Sequence, residues 1–224
     1  MKKQPGMRPL VALLFVWSAH AVALNCDVAS VKPNQNVVIY LHGAIVTGSG
    51  GRPISPEYGP YEYRQILERF RNDGFAVFSE IRTNDSNLQA HADVVAECVR
   101  SLVAHGVAER RITVVGASRG GVISSYVSAA LPMRNVSYVI ISGLGDQESQ
   151  SDLTLHGRVL SIHDASDKFH IVPEHYQRQS DATEFTIVVT HTGLGHGLLF
   201  TPNDAWYLPA KEWITRQHHV VTSD

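Results

Sequence analysis

Gly116-Ala117-Ser118-Arg119-Gly120 fits the pattern G-x-S-x-G, which presents a serine hydroxyl as a nucleophile. So short a pattern specifies little by itself, and its surroundings decide. A β-branched run, Ile112 to Val115, leads directly into it, and a helical stretch, Gly121 to Leu131, leads out. Strand, tight turn and helix are the setting in which such a serine is held strained and exposed beside the positive end of a helix. Glycine at 116 and 120 suits a turn too tight for side chains. The alternative is an ordinary glycine-rich turn. Two other constellations compete. Val46-Thr47-Gly48-Ser49-Gly50-Gly51 resembles a phosphate cradle, but it lacks the Lys-Ser or Lys-Thr of a P-loop and its helix starts too late. His163, Asp164, Asp167, His170 and His175 crowd one segment, but their spacing matches no familiar ligand motif; neither a metal nor another cofactor is expected.

A nucleophile needs a scaffold. Short apolar runs predict strands over Asn36–Leu41, Phe75–Glu80, Ile112–Val115, Ser137–Ser142, Arg158–His163 and Glu184–Thr190. Their near-continuous apolar character suits strands covered on both faces, as in a parallel sheet. Helical spacing joins Tyr63, Ile66, Leu67 and Phe70, a helix closed by Asp73-Gly74. The same spacing joins Leu88, Ala92, Val95, Val99 and Leu102, then Ile123, Tyr126, Val127 and Ala130, and last Trp206, Ala210, Trp213 and Ile214. The fold class is α/β, a three-layer sandwich around a mostly parallel sheet of about six strands. The glycine- and proline-rich stretch Val46 to Pro60 reads as a long loop of the kind that often carries function.

With these elements in place the chain resembles the α/β-hydrolase superfamily, from about Val37 to Ile214. Leu41-His42-Gly43-Ala44, directly after the first clear strand, looks like that family's oxyanion loop. The resemblance implies that the backbone N–H groups of Ala44 and Arg119 form the oxyanion hole, with His42 bracing the loop. Gly195-His196-Gly197 follows the last strand, where the family places its general base; His196 takes that role, with His191 as the rival. The acid is expected after the preceding strand. Asp167 is the choice, with Asp164 and Asp146 as alternatives. The order Ser118, Asp167, His196 is the family order. A carboxylate nucleophile is absent at 118, which disfavours dehalogenase and epoxide hydrolase chemistry. Only Gly143 to Gly157 separates the strands where relatives insert a cap domain, so a capless, open site is expected, its rim drawn from Thr47, Tyr58, Tyr61 and Tyr63.

Composition limits what such a site serves. The chain has 224 residues, 44% hydrophobic and 18% charged, and a net charge of -2, which supplies no basic face for nucleic acid. Lys2, Lys3 and Arg8 precede the apolar run Leu10 to Trp17, and small residues Ala19, Ala21 and Ala23 follow. That order describes a secretory signal peptide over residues 1–23, followed by a single domain over 24–224. The run is too short for a retained membrane span, and Asn25 before Cys26 poorly fits a lipoprotein site. The protein is expected to be exported, periplasmic or extracellular. In an oxidising compartment the 2 cysteines, Cys26 and Cys98, invite a disulfide; the alternative is a core Cys98 and a free Cys26.

The reading that follows is an exported serine hydrolase acting on a small-molecule or polymeric carboxylic ester. A thioesterase or peptidase with the same residues comes next, because the triad does not specify the leaving group. A non-catalytic binding protein on the same fold is the third.

Overall fold

The computed structural model describes residues 24–32, 34–145, 152–169 and 171–216. The predicted leader over 1–23, Asp146 and His170 lie outside the described residues. In chain order the elements are β1 (Val37–Leu41), β2 (Ile54–Ser55), β3 (Gly59–Pro60), α1 (Tyr63–Asn72), β4 (Ala76–Phe78), α2 (Leu88–Ala104) and β5 (Ile112–Ala117). They continue with α3 (Arg119–Ala130), β6 (Ser137–Ile141), β7 (Arg158–Asp164), α4 (Pro173–Gln179), β8 (Glu184–Thr190) and α5 (Asp204–Thr215). A 6-stranded sheet has the order β4-β1-β5-β6-β7-β8, and every neighbouring pair in it is parallel. β2 and β3 form a small antiparallel hairpin inside the predicted long loop.

Strand periodicity builds the two faces. In β1, Val37, Ile39 and Leu41 pack with Val99, Leu102, Ile123 and Val127 of α2 and α3. Val38 and Tyr40 point the other way, among Ile66 and Phe70 of α1 and Trp206 and Trp213 of α5. Each such burial contributes on the order of 2 kcal/mol. The stripe Tyr63, Ile66, Leu67, Phe70 is buried as its spacing predicts, and Gly74 ends α1 at φ 88 with its N–H on the Arg71 carbonyl. α3 departs from its predicted stripe. Ile123 and Val127 are buried, but Tyr126 is only half-buried and Ala130 is exposed, while Gly120 through Ser125 are all buried. The reason is that α3 lies between the sheet and α2, so it has hardly any solvent face to leave polar.

The connection from β6 to β7 spans positions 142–157, too short for a cap domain. Cys26 and Cys98 form a disulfide, with Cα atoms 5.8 Å apart, that ties the segment before β1 to α2. Among the described residues no helix is long and apolar enough to cross a membrane. All six parallel strands end at one edge, and the strand order reverses between β1 and β5, whose following loops carry Ala44 and Ser118. Open α/β sheets bind ligands at that switch point.

Candidate active site

Ser118 sits between β5 and α3 at φ 51 and ψ -116, a conformation a non-glycine residue adopts only under constraint. Its neighbours show the constraint. A Cβ on Gly116 would stand 2.2 Å from the Gly120 carbonyl oxygen, and one on Gly120 would stand 2.0 Å from the Leu41 carbonyl oxygen. Both positions therefore exclude any side chain, and the turn can close tightly enough to lift the serine clear of the strand. Ser118 N–H donates to the Ile141 carbonyl at 2.8 Å, fixing the turn against β6.

The structure brings the predicted partners to this hydroxyl. His196 Nε2 lies 2.9 Å from Ser118 Oγ, and His196 Nδ1 lies 2.9 Å from Asp167 Oδ2. His196 is the second residue of a 3-10 turn, Gly195–Phe200, in the connection after β8. Gly195 adopts φ 53, and a Cβ there would meet the Ser166 carbonyl oxygen at 3.0 Å. Asp167 Oδ1 accepts from Phe169 N–H at 3.0 Å. Burial of Asp167 pushes its carboxyl up, but the hydrogen bond and charge of His196, with the Phe169 N–H, outweigh it and hold the pKa below its ordinary value. The rival His191 is exposed at the end of β8.

Asp164, the alternative acid, has another position. It is 1% exposed and surrounded by donors. One carboxylate oxygen accepts from Thr190 Oγ1 at 2.9 Å, Thr192 N at 2.8 Å and Thr192 Oγ1 at 2.7 Å; the other accepts from Ser166 N at 3.0 Å and Ser166 Oγ at 2.5 Å. Burial opposes its charge, but these hydroxyl and N–H donors hold its pKa well below the carboxylate range. Asp164 thus ties the segment carrying Asp167 to the segment carrying His196.

On the other side of Ser118, Gly43 is close enough that an added Cβ would lie 3.6 Å from Ser118 Cβ. Ala44 and Arg119 each open a helical turn, so neither N–H has an intrahelical acceptor. His42 is fully buried with both ring nitrogens engaged: Nδ1–H donates to the Gly43 carbonyl at 2.8 Å, and Nε2 accepts the Arg82 N–H at 3.0 Å. Burial and the Arg82 charge lower its pKa to about 4, so it is neutral near pH 7. Arg82 also donates to the His42 carbonyl at 2.8 Å and to Asp85 Oδ1 at 2.7 Å, while Thr47 Oγ1 donates to Asp85 Oδ2 at 2.9 Å. Sequence reasoning missed this clasp. An Arg and an Asp spaced i, i+3 after a strand is the one local sign of it, and nothing nearby says that the pair turns inward.

Of the four predicted rim residues Tyr58 lies beside His196, and Tyr61, though buried, accepts the Gly43 N–H on its hydroxyl at 3.5 Å. Tyr61 is 1% exposed and shares a 2.7 Å hydrogen bond with Tyr40; Tyr63 bonds Ser79 at 2.7 Å; both belong to the core. A cavity of about 380 Å³ lined by Gly50, Gly51, Arg52, Glu62 and Tyr63 lies beside the start of α1, and Ser118, His196 and Asp167 do not line it.

No protein-family model matches the chain, and no curated protein matches its sequence. Solved structures match its fold. A lipase-esterase related protein from Clostridium acetobutylicum aligns with a TM-score of 0.56 at 14% identity, covering 82% of this chain and 96% of that one. A dienelactone hydrolase from Anabaena variabilis aligns at 0.53 and 16%, covering 80% and 85%. Alpha/beta hydrolase domain-containing protein 10 from mouse aligns at 0.55 and 12%, covering 81% and 89%.

Proposed function

We propose that this chain, whose fold is that of the α/β hydrolases, is an exported serine hydrolase that cleaves carboxylic esters. The observation that carries the reading is the continuous hydrogen-bonded line from Ser118 Oγ through His196 to Asp167, beginning at a strained serine. Ser118 attacks the ester carbonyl as His196 Nε2 takes its proton; Asp167 fixes the imidazole tautomer and stabilises the imidazolium. The carbonyl oxygen, becoming an oxyanion, accepts from Ala44 N–H and Arg119 N–H, each donor contributing about 3 kcal/mol. His196 returns the proton to the departing alcohol. Water, activated by the same ring, then releases the acid from the acyl-enzyme. Export rests on the leader-like order of residues 1–23 and on the Cys26–Cys98 disulfide, a bond that persists in oxidising compartments.

The test is intact mass before and after a fluorophosphonate, on wild type, Ser118→Ala and His196→Ala. One adduct on wild type and none on either variant is expected, together with ester turnover that Ser118→Ala lowers by at least about 10³-fold. A folded wild type that takes no adduct would overturn the reading in favour of a binding protein.

A further inference from the structure

We infer that the leaving-group side of this site is an apolar rim built on Tyr58 and Phe169, and that it selects esters of apolar alcohols. The inference rests on the reading of Ser118 as nucleophile and His196 as its base. Large apolar side chains exposed singly are ordinary on a protein surface. Here three of them belong to segments that also carry residues of the site. Among the described residues the exposed ones are Ile54 at 74%, Phe169 at 59%, Val189 at 42%, Leu194 at 45% and Leu208 at 50%. Ile54 belongs to the hairpin that carries Tyr58, Phe169 to the segment that carries Asp167, and Leu194 to the turn that carries His196.

Two rings flank the base. The Phe169 ring centroid lies 4.4 Å from that of His196, yet most of Phe169 is open to water; the Tyr58 ring lies 6.5 Å from His196. The residues just before these rings hold the two segments together, because Lys168 Nζ donates to Glu57 Oε1 at 2.5 Å. Chemistry assigns the side. His196 Nε2 must hand its proton to the departing oxygen, so the alcohol portion of the ester lies against His196 and whatever packs on it. The carbonyl oxygen points the other way, to Ala44 and Arg119. An alkyl group on the alcohol therefore covers Phe169 and leaves water, and each methylene so covered improves binding by up to about fourfold.

The probes are methyl acetate, hexyl acetate and methyl hexanoate. Dissociation constants come from NMR titration of Ser118→Ala with and without Phe169→Ser, and kcat/KM from the same pair on an intact Ser118. Phe169 is mostly exposed, so Phe169→Ser is expected to keep the parent melting temperature. Hexyl acetate is expected to bind Ser118→Ala at least about tenfold tighter than methyl acetate, given partial cover of the added methylenes. Phe169→Ser lowers the hexyl-to-methyl acetate ratio of affinities and of kcat/KM toward one. Equal binding of hexyl and methyl acetate overturns the rim. A Phe169-dependent gain for methyl hexanoate but not hexyl acetate overturns the assignment to the alcohol side. Failure of the serine reading shows separately, as a wild type that no fluorophosphonate labels, and the binding titrations judge the rim whatever that result.

Discussion

Asp164 and Asp167 are two carboxylates of one short segment with different neighbours. Asp167 spends one oxygen on His196; Asp164 spends both on Thr190, Thr192 and Ser166. Removing Asp164 leaves several buried donors unanswered, at a cost of about 3 kcal/mol. Asp164→Ala is expected to lower the melting temperature by roughly 6–12 °C, read by thermal denaturation. The pH dependence has a definite sign. The folded-state pKa of Asp164 is depressed, so its contribution is complete above the unfolded carboxyl value of about 4 and is lost as pH falls from there toward the folded value. The gap in melting temperature between wild type and Asp164→Ala is therefore full at neutral pH and narrows below about pH 4. A gap that stays constant to low pH would exclude the carboxylate as its source. The meeting of Ser118, His196 and Asp167 was legible because each follows a sheet strand within a few residues, in the order that the resemblance implies. Arg82 was not, because it belongs to no recognisable motif and nothing near it in the sequence says that it turns inward onto His42.

At the scale of elements, the turn that carries Ser118 depends on the approach of α3 to β1. A Cβ on Gly120 meets the carbonyl oxygens of Leu41 and His42 at 2.0 and 2.8 Å, which are backbone atoms of the strand and loop carrying Ala44. Gly120→Ala must push α3 away and part Ser118 from that loop. Misplacement of about 1 Å costs on the order of 10²-fold in rate, so fluorophosphonate labelling of Gly120→Ala is expected to slow about 100-fold. Unchanged labelling would show that the contact is not needed. Five of the six sheet strands were legible to within two residues at each end, as where Asn36–Leu41 was expected and Val37–Leu41 is found; for Phe75–Glu80 only the three residues Ala76–Phe78 form a strand. α4 was not legible, since Pro173–Gln179 buries only Pro173 and Tyr176 in an otherwise polar run. The β2–β3 hairpin was hidden for another reason: contacts from distant parts of the chain hold it, among them Phe200 against the Tyr58 ring and Lys168 on Glu57.

For the whole molecule, the disulfide closes a loop of 72 residues through β1, α1, β4 and most of α2. The chain-entropy relation gives about 4 kcal/mol for a loop of that length. Reduction is expected to lower the melting temperature by roughly 10 °C and to leave Ser118 labelling at room temperature intact, because Cys98 lies on α2, away from the carboxyl edge of the sheet. Loss of labelling on reduction, with the fold retained, would show that the bond positions the site. The pairing was legible because only 2 cysteines exist. Asp164 carries a consequence at this scale too. The site consists of two stiff pieces: Ser118 and Ala44 ride on β5 and β1, locked by Gly120 against Leu41 and by Arg82 on His42. Asp167 and His196 ride together beyond β7 and β8, locked by Asp164. β6 lies between the pieces, and the Ser118–His196 hydrogen bond crosses the seam. A fluctuation that opens the seam would part Ser118 from His196 but leave the imidazole seated on its carboxylate, so the ring would already be aimed when the two pieces close again.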